Sequence, residues 1–295
     1  MELRVLRYFL AVAREENISA AADFLHVTQP TLSRQLMELE ENLGTKLFIR
    51  GNRKITLTQE GMFLRKRAQE IVDLVDKTEA DFHTPEEIIS GNVYIGGGES
   101  DAIRLIGNVI SRVQQEHPDI HYHLFSGNAE DVTERLDKGL LDFGILIDPP
   151  SLKEYDYLRL PFHDQWGVFM RQDSALTALE VIQPKDLWNV PLIISRQTLA
   201  NNDLTGWLSK DLNQLQVIAT YNLIFNAARL VEEGVGYALA LDKLIPTCED
   251  SQLCFRLLDP PVTTNILIVW KKYQIFSKPA EILLQYLQQV LASIS

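Results

Sequence analysis

Between positions 28 and 35 the chain reads Thr28-Gln29-Pro30-Thr31-Leu32-Ser33-Arg34-Gln35. Hydroxyls, amides and a guanidinium are crowded into about two helical turns. Short hydrogen-bonding side chains and an arginine at the start of a helix suit the major groove of B-DNA, where base edges present donors and acceptors. A second cluster, Arg50, Arg53 and Lys54, with Lys46 just before it, suits phosphates or a narrow minor groove. A third set of polar residues falls at the ends of apolar runs: Gly98, Glu99 and Ser100; Ser126, Gly127 and Asn128; Ser195, Arg196 and Gln197. The fork of Arg196 fits a carboxylate, and a structural salt bridge is its other reading. Glu99 and Asp101 would repel an anion, and either could instead receive an amine.

The chain carries none of the usual catalytic sets: no G-x-S-x-G, H-E-x-x-H, phosphate-loop or dinucleotide fingerprint occurs. Gly234-Val235-Gly236 lacks the third glycine and lies between a helix and a strand, the wrong order for a dinucleotide turn. His121 and His123 share a strand face without an evident third ligand, so no metal site is expected. Cys248 and Cys254 are too few for a disulfide framework; reduced thiols in the cytoplasm are the expectation. Gly96-Gly97-Gly98 could hold a phosphate, although a tight strand-to-helix turn is the simpler use. No cofactor is expected.

The elements that must position these groups follow from periodicity. Leu3 to Glu16 reads as an amphipathic helix with Leu6, Phe9, Leu10 and Ala13 on one face. Ser19 is a good N-cap for a short helix ending near Leu25. His26 and Val27 form a turn, and Thr28 caps a further helix with Pro30 in its first turn. Leu32, Leu36, Leu39 and Leu43 form its buried stripe, and Gly44 ends it. Leu47 to Leu57, turning at Gly51-Asn52, is a hairpin with a basic tip. Thr58 caps a long helix to about Phe82, in which Leu64, Ala68, Ile71, Val75, Thr78 and Phe82 make a heptad-like seam. Such seams pair helices; packing on its own domain is the alternative, and dimerisation is favoured because a helix-turn-helix dimer reads two half-sites. His83 to Ser90, with Pro85, reads as a hinge. From Gly91 the pattern alternates strand and helix, with strands near residues 92–98, 120–124 and 140–147. That order implies parallel strands with right-handed crossovers, and ligands then sit beyond the strands' C-terminal ends. Leu158 to Met170, Leu192 to Ser195 and Tyr237 to Leu241 supply strands to a second α/β lobe, with a further strand at 265–270 and a last helix from Pro279 to Ser295.

At 295 residues the chain is long enough for two or three domains, and 46% hydrophobic residues suffice for packed cores. The net charge of -12 is the wrong sign for coating nucleic acid indiscriminately, so DNA binding must rest on the local basic surface. No apolar run approaches the roughly 20 residues needed to span a bilayer, and MELRVLRYFLAVAREE has no signal-peptide core.

The run AAADFLHVTQPTLSRQLMELEENLGTKLFIRGNRKITLTQEG resembles the DNA-binding domain of the LysR-type transcriptional regulators. More loosely, VQQEHPDIHYHLFSGNAEDVTERLDKGLLDFGIL and VEEGVGYALALDKLI resemble the effector domain of the same family. The resemblance implies an α+β multidomain chain: a winged helix-turn-helix over 1–58, a linker or dimerisation helix and hinge over 59–90, and a two-lobed effector-binding domain of periplasmic-binding-protein type over 91–295. Lobe I would take about 91–161 and 266–295, and lobe II about 162–265. It further implies a cytoplasmic bacterial regulator, not an enzyme, that binds double-stranded DNA through Thr28, Gln29, Pro30, Thr31, Ser33, Arg34 and Gln35, flanked by Arg50, Arg53 and Lys54. The partners implied are a homodimer through the linker helix, with a homotetramer beyond it, and a small-molecule effector, with a carboxylate suggested by Arg196. The effector would contact Gly98, Glu99, Ser100, Ser126, Gly127, Asn128, Ser195, Arg196, Tyr221 and Asn222, the last two in a crossover or hinge region.

Overall fold

The computed structural model describes residues 1–51, 54–82, 89–201, 204–247 and 251–294. The chain forms two compact units, Met1–His83 and Thr84–Ser295. No helix among the described residues is long and apolar enough to cross a membrane.

The first unit holds α1 (Leu3–Glu15), α2 (Ile18–Phe24), α3 (Gln29–Leu43), β1 (Phe48–Arg50), β2 (Ile55–Leu57) and α4 (Gln59–Phe82). Its core joins Leu6, Phe9 and Val12 of α1, Ala21 and Ala22 of α2, Leu32, Leu36 and Leu39 of α3, and Leu64, Ala68 and Val72 of α4. Asn17, and not Ser19, caps α2: its side chain accepts from the N–H groups of Ser19 (2.8 Å) and Ala20 (3.1 Å). Its extended backbone puts the side-chain oxygen over the first turn, while Ser19 already lies inside the helix. Thr28 caps α3 and Gly44 ends it at φ 67°, both as the residue types dictate. The buried stripe of α3 stops a turn early, because Leu43 is exposed and Glu40 takes the last inward position.

Glu40 lies almost wholly inside. It accepts from the N–H of Leu47 at 2.8 Å, the N–H of Phe48 at 3.3 Å and Nζ of Lys46 at 2.9 Å. This ties the start of the β1–β2 hairpin to α3. At the other edge, the N–H of Ile55 donates to the Glu16 carbonyl at 2.8 Å. On α4 the expected seam is corrected. Leu64 and Ala68 are spent on the unit's own core, and Val72 replaces Ile71 as the next inward residue. Arg7 of α1 pairs with Asp76 of α4 at 2.5 Å on the same side. Among the described side chains, the large apolar residues α4 leaves exposed are Met62, Phe63, Ile71 and Leu74; the side chain of Phe82 lies outside them.

The second unit has two lobes. In lobe I, β3 (Gly91–Gly97), β4 (Ile120–Ser126), β5 (Phe143–Ile147) and β6 (Tyr155–Arg159) join β12 (Ile266–Lys271) in the order β4-β3-β5-β12-β6. β3 is parallel to both β4 and β5, and β12 runs antiparallel to β5 and β6. The sheet is covered on one face by α5 (Ile103–Glu116) and α10 (Lys278–Ile294), and on the other by α6 (Ala129–Asp137). In lobe II, β7 (Trp166–Arg171), β8 (Leu192–Ser195), β9 (Val217–Tyr221), β10 (Tyr237–Leu241) and β11 (Leu253–Leu257) order as β11-β7-β10-β8-β9. With them go α7 (Arg196–Asn201), α8 (Thr205–Leu208) and α9 (Ile224–Glu232).

The single run expected from Leu158 to Met170 is in fact divided. β6 pairs with β12 in lobe I, and β7 begins lobe II. The glycine triplet is also reassigned: Gly96 and Gly97 lie within β3, where a Cβ on Gly96 would meet Leu141 Cδ1 at 2.4 Å. Close packing against the Leu141 side chain, and not a turn, requires glycine at position 96.

Glu40 yields a stability test. Burial alone would raise its pKa, but the bonds from Lys46, Leu47 and Phe48 outweigh burial and hold it below the ordinary glutamate value. Its contribution is therefore present at neutral pH and is lost as pH falls through the lowered pKa. Glu40→Ala strands two buried N–H groups and is expected to cost about 2–3 kcal/mol at pH 7. In thermal unfolding across pH, the gap to the parent protein should narrow below about pH 4; a gap independent of pH contradicts the assignment.

Candidate DNA-reading face and inter-lobe cleft

The outer side of α3 starts with the cap itself. Oγ1 of Thr28 and Oγ1 of Thr31 lie 2.8 Å apart, so the two hydroxyls form one polar edge. Gln29 and Pro30 are exposed beside them. One turn on, Glu38 accepts from Arg34 Nε and from Gln35 Nε2, both at 2.9 Å. A single carboxylate thus holds the guanidinium and the amide side by side on the solvent face, while Ser33 is half-buried. Of the hairpin cations, Lys54 Nζ sits 2.5 Å from Glu16 Oε2 at the surface. Arg53 lies outside the described residues, as does the side chain of Arg50.

The lobes are joined by two antiparallel crossing segments. Leu160 N–H donates to the Ile266 carbonyl at 3.0 Å, Thr264 N–H to the Asp164 carbonyl at 3.0 Å, and Trp166 N–H to the Val262 carbonyl at 2.9 Å. Between the lobes lies a cavity of about 260 Å³ whose wall includes Gly98, Glu99, Gly127, Asn128, Ser195, Tyr221 and Asn222. Among the described residues three contacts span it, the longest from Gln197 Nε2 to the Ile147 carbonyl at 3.5 Å. The N–H of Ala129, at the start of α6, donates to Gln197 Oε1 of lobe II at 3.3 Å. The N–H of Ile224, at the start of α9, donates to the carboxylate of Glu99. Tyr221 OH donates to the Leu239 carbonyl at 2.7 Å. Burial raises the pKa of Glu99 despite the Ile224 N–H. Burial, with the Glu99 charge nearby, pushes the Tyr221 phenol up as well.

Residues 3–62 match the family model described as a bacterial regulatory helix-turn-helix protein of the lysR family. Residues 87–292 match that described as the LysR substrate binding domain. The chain belongs to the LysR family. Within the family, it is 28% identical to the Hca operon transcriptional activator HcaR of Escherichia coli (strain K12), over all of both chains. Its fold resembles that of CbnR, a LysR family transcriptional regulator, at TM-score 0.78, 18% identity and 99% coverage of each chain. It also resembles full-length CbnR complexed with target DNA, at TM-score 0.75, 18% identity, 98% coverage of this chain and 99% of the other. As a LysR-family protein it is a sequence-specific DNA-binding transcriptional regulator modulated by a small-molecule effector, and not an enzyme. Members of the family form oligomers.

Three of the residues expected at the cleft are not in its wall. Ser100 is buried, and its hydroxyl accepts from the Ala102 N–H at 3.0 Å at the start of α5. Ser126 lines a neighbouring cavity with Leu124 and Lys243. Arg196 is exposed and lines a different cavity with Glu130, Asp137 and Glu154. It begins α7, and the next residue, Gln197, takes the inward position. The carboxylate grip expected of Arg196 is therefore not built into this cleft. Trp166, Gln197, Thr198, Ile147, Asp148 and Thr264 also line it. The strand-end rule, applied to β5 as to β3 and β4, points to Ile147 and Asp148. Trp166 and Thr264 come from the crossing segments, which carry no local signal.

A carboxylate whose pKa burial has raised is held charged at a cost above that pKa. Glu99→Gln, which keeps the size and an acceptor for Ile224, should therefore raise the unfolding temperature at pH 7. The gain should disappear as pH falls below about 4, where both states bind the proton. An unfolding temperature lowered at pH 7 contradicts this account of Glu99.

Proposed function

We propose that Thr28, Gln29, Pro30, Thr31, Ser33, Arg34 and Gln35 enter the major groove, with Arg50, Arg53 and Lys54 on the flanking phosphates. The observation that carries this reading is the outer edge of α3, where Glu38 holds Arg34 and Gln35 together one turn from the paired hydroxyls of Thr28 and Thr31. Arginine and glutamine read guanine and adenine edges in a bidentate manner, and a fixed side chain has less freedom to lose on binding. The net charge of -12 excludes a diffuse basic surface, so a small local cluster must supply the phosphate contacts.

In this reading the chain divides into a DNA-binding part over 1–58, a linker over 59–90 and an effector-binding part over 91–295. Dimerisation runs along α4, and its exposed apolar residues Met62, Phe63, Ile71 and Leu74 support that. They replace Leu64 and Ala68, which are used within the unit. Pairing of dimers into a tetramer, and a place in the cytoplasm with the DNA, complete the proposal. An effector in the cleft shifts the balance between open and closed lobes only if it binds one state more tightly. Glu99 and Gln197 are the groups whose contacts differ between those states, because each bonds across the gap.

Gel shifts on the protein's own upstream DNA test the groove assignment. Gln29→Ala combined with Arg34→Ala should reduce preference for the operator over scrambled DNA by roughly tenfold or more. The same change should move the salt dependence little. Lys54→Ala should weaken both DNAs alike and lower the salt slope by about one. Unchanged operator selection in the double variant defeats the reading. For the linker, Ile71→Glu with Leu74→Glu should shift the protein from dimer towards monomer in light scattering while leaving its unfolding temperature nearly unchanged; an intact dimer places the interface elsewhere.

A further inference from the structure

The charges around the cleft and the state of its backbone donors decide what it can hold. Its wall carries the carboxylates Glu99 and Asp148 and the rings of Trp166 and Tyr221; among the described residues in it there is no lysine, arginine or histidine. The cations nearby are turned to other work. Lys243 pairs with Asp242 at 3.2 Å and lines the adjoining cavity, and Arg196 lines an acidic surface cavity on another side. In the crossing segments, Thr264 of the cleft wall is bonded through its N–H to the carbonyl of Asp164. The Asp164 side chain is buried, and its Oδ2 has no hydrogen-bond partner among the described residues.

An anion could also be held by helix N-termini, but each of the two longer helices that start at this cavity already has an acceptor from within the chain on its first N–H. At α6, Asn128 Oδ1 accepts from the Asp131 N–H at 2.9 Å, Asp131 Oδ2 accepts from the Asn128 N–H at 3.3 Å, and Gln197 takes the Ala129 N–H. At α9, Glu99 takes the Ile224 N–H. The place where a ligand carboxylate would bind is thus occupied by the protein's own. Asp148 Oδ1, opposite in kind, accepts from N and Nδ2 of Asn265, both at 3.0 Å, so its charge is fixed in place without a cation.

We propose that the effector is a small organic amine, bound as its ammonium ion to Glu99 with Asp148 as the second anion of the wall, its apolar body against Trp166 and Tyr221. This rests on the cleft being the effector site. The ammonium supplies the positive partner that no lysine, arginine or histidine of the wall gives Glu99, and its three N–H donors match carboxylate acceptors. Aromatic faces attract cations and cover the attached carbon chain. A volume of about 260 Å³ limits the ligand to a compact molecule. Because the Glu99–Ile224 contact joins lobe I to lobe II, an ammonium that draws on the same carboxylate changes the contact between the lobes. That is the differential interaction a switch requires.

Calorimetry and thermal unfolding of the full-length protein test this with matched probes: ethylamine, butylamine and phenethylamine against propionate, valerate and 3-phenylpropionate. At least one amine is expected to bind and raise the unfolding temperature, with no response to the carboxylates. Glu99→Gln should weaken that amine by about tenfold or more. Asp148→Asn should weaken it as well, and serves alone if the first variant fails to fold. Binding of carboxylates without amines overturns the charge assignment and leaves the cleft as the effector site. Amine binding that neither variant alters overturns the placement. If neither set binds nor changes the gel mobility of the protein–DNA complex, the amine proposal falls, while the effector reading of the cleft, which six probes do not exhaust, is not overturned.

Discussion

A backbone N–H at the start of a helix or strand must find an acceptor, and in this chain the choice of acceptor organises both functional regions. Thr28 supplies it for α3, Glu40 for the strand that follows α3, Asn128 and Gln197 for α6, and Glu99 for α9. The first two fix the geometry of the DNA-reading unit. The last two reach into the cleft, where Gln197 and Glu99 cross from one lobe to the other. A buried unpaired donor costs enough that these acceptors are not free to wander, so the side chains that satisfy them become fixed points from which neighbouring residues are aimed.

In the first unit the consequence is rigidity at the exposed face. With Leu32, Leu36 and Leu39 inward and Glu40 locked to the hairpin, α3 can present its other side in one orientation only. Glu38 then sets the spacing of Arg34 and Gln35. The Phe9 and Phe48 rings, 5.2 Å apart, bind α1 to the same hairpin. The polar face is thus backed by a packed core, which lets a short helix offer base-reading groups without first ordering them.

In the second unit the same economy produces the opposite property. The crossing segments at 160–166 and 258–266 carry a short ladder of hydrogen bonds, and two side chains bridge the gap beyond it. A connection this narrow is the kind about which lobes with packed cores can rotate as bodies, which is the motion the proposed switch requires. Glu99 is central because it is at once the bridge, a desolvated charge and a wall of the cavity. Whatever neutralises it also acts on the bridge.

How much of this could be read from residue order depends on the range of the interaction involved. Local rules were sufficient for the helix-turn-helix: Thr28, Pro30 and Gly44 each act within a turn of the chain, and the leucine spacing of α3 is a property of one helix. The same holds for the parallel strands of lobe I, which alternation specifies, but strand ends alone did not separate Gly98, Glu99, Gly127 and Asn128, which line the cavity, from Ser100 and Ser126, which do not. Local rules fell short where a residue had competing partners. Asn17 displaced Ser19 as a cap because the helix began two residues earlier. Leu64 and Ala68 were claimed by α1 before any second chain could use them. Arg196 and Gln197 are neighbours in sequence, yet the start of α7 turns only Gln197 inward. Trp166 and Thr264 reach the cleft because two segments about a hundred residues apart cross there. The sequence by itself determined the kind of protein, since propensity, capping and spacing act along the chain. The charge inside the cleft was decided only by the tertiary structure, because it depends on which side chains the two lobes bring face to face.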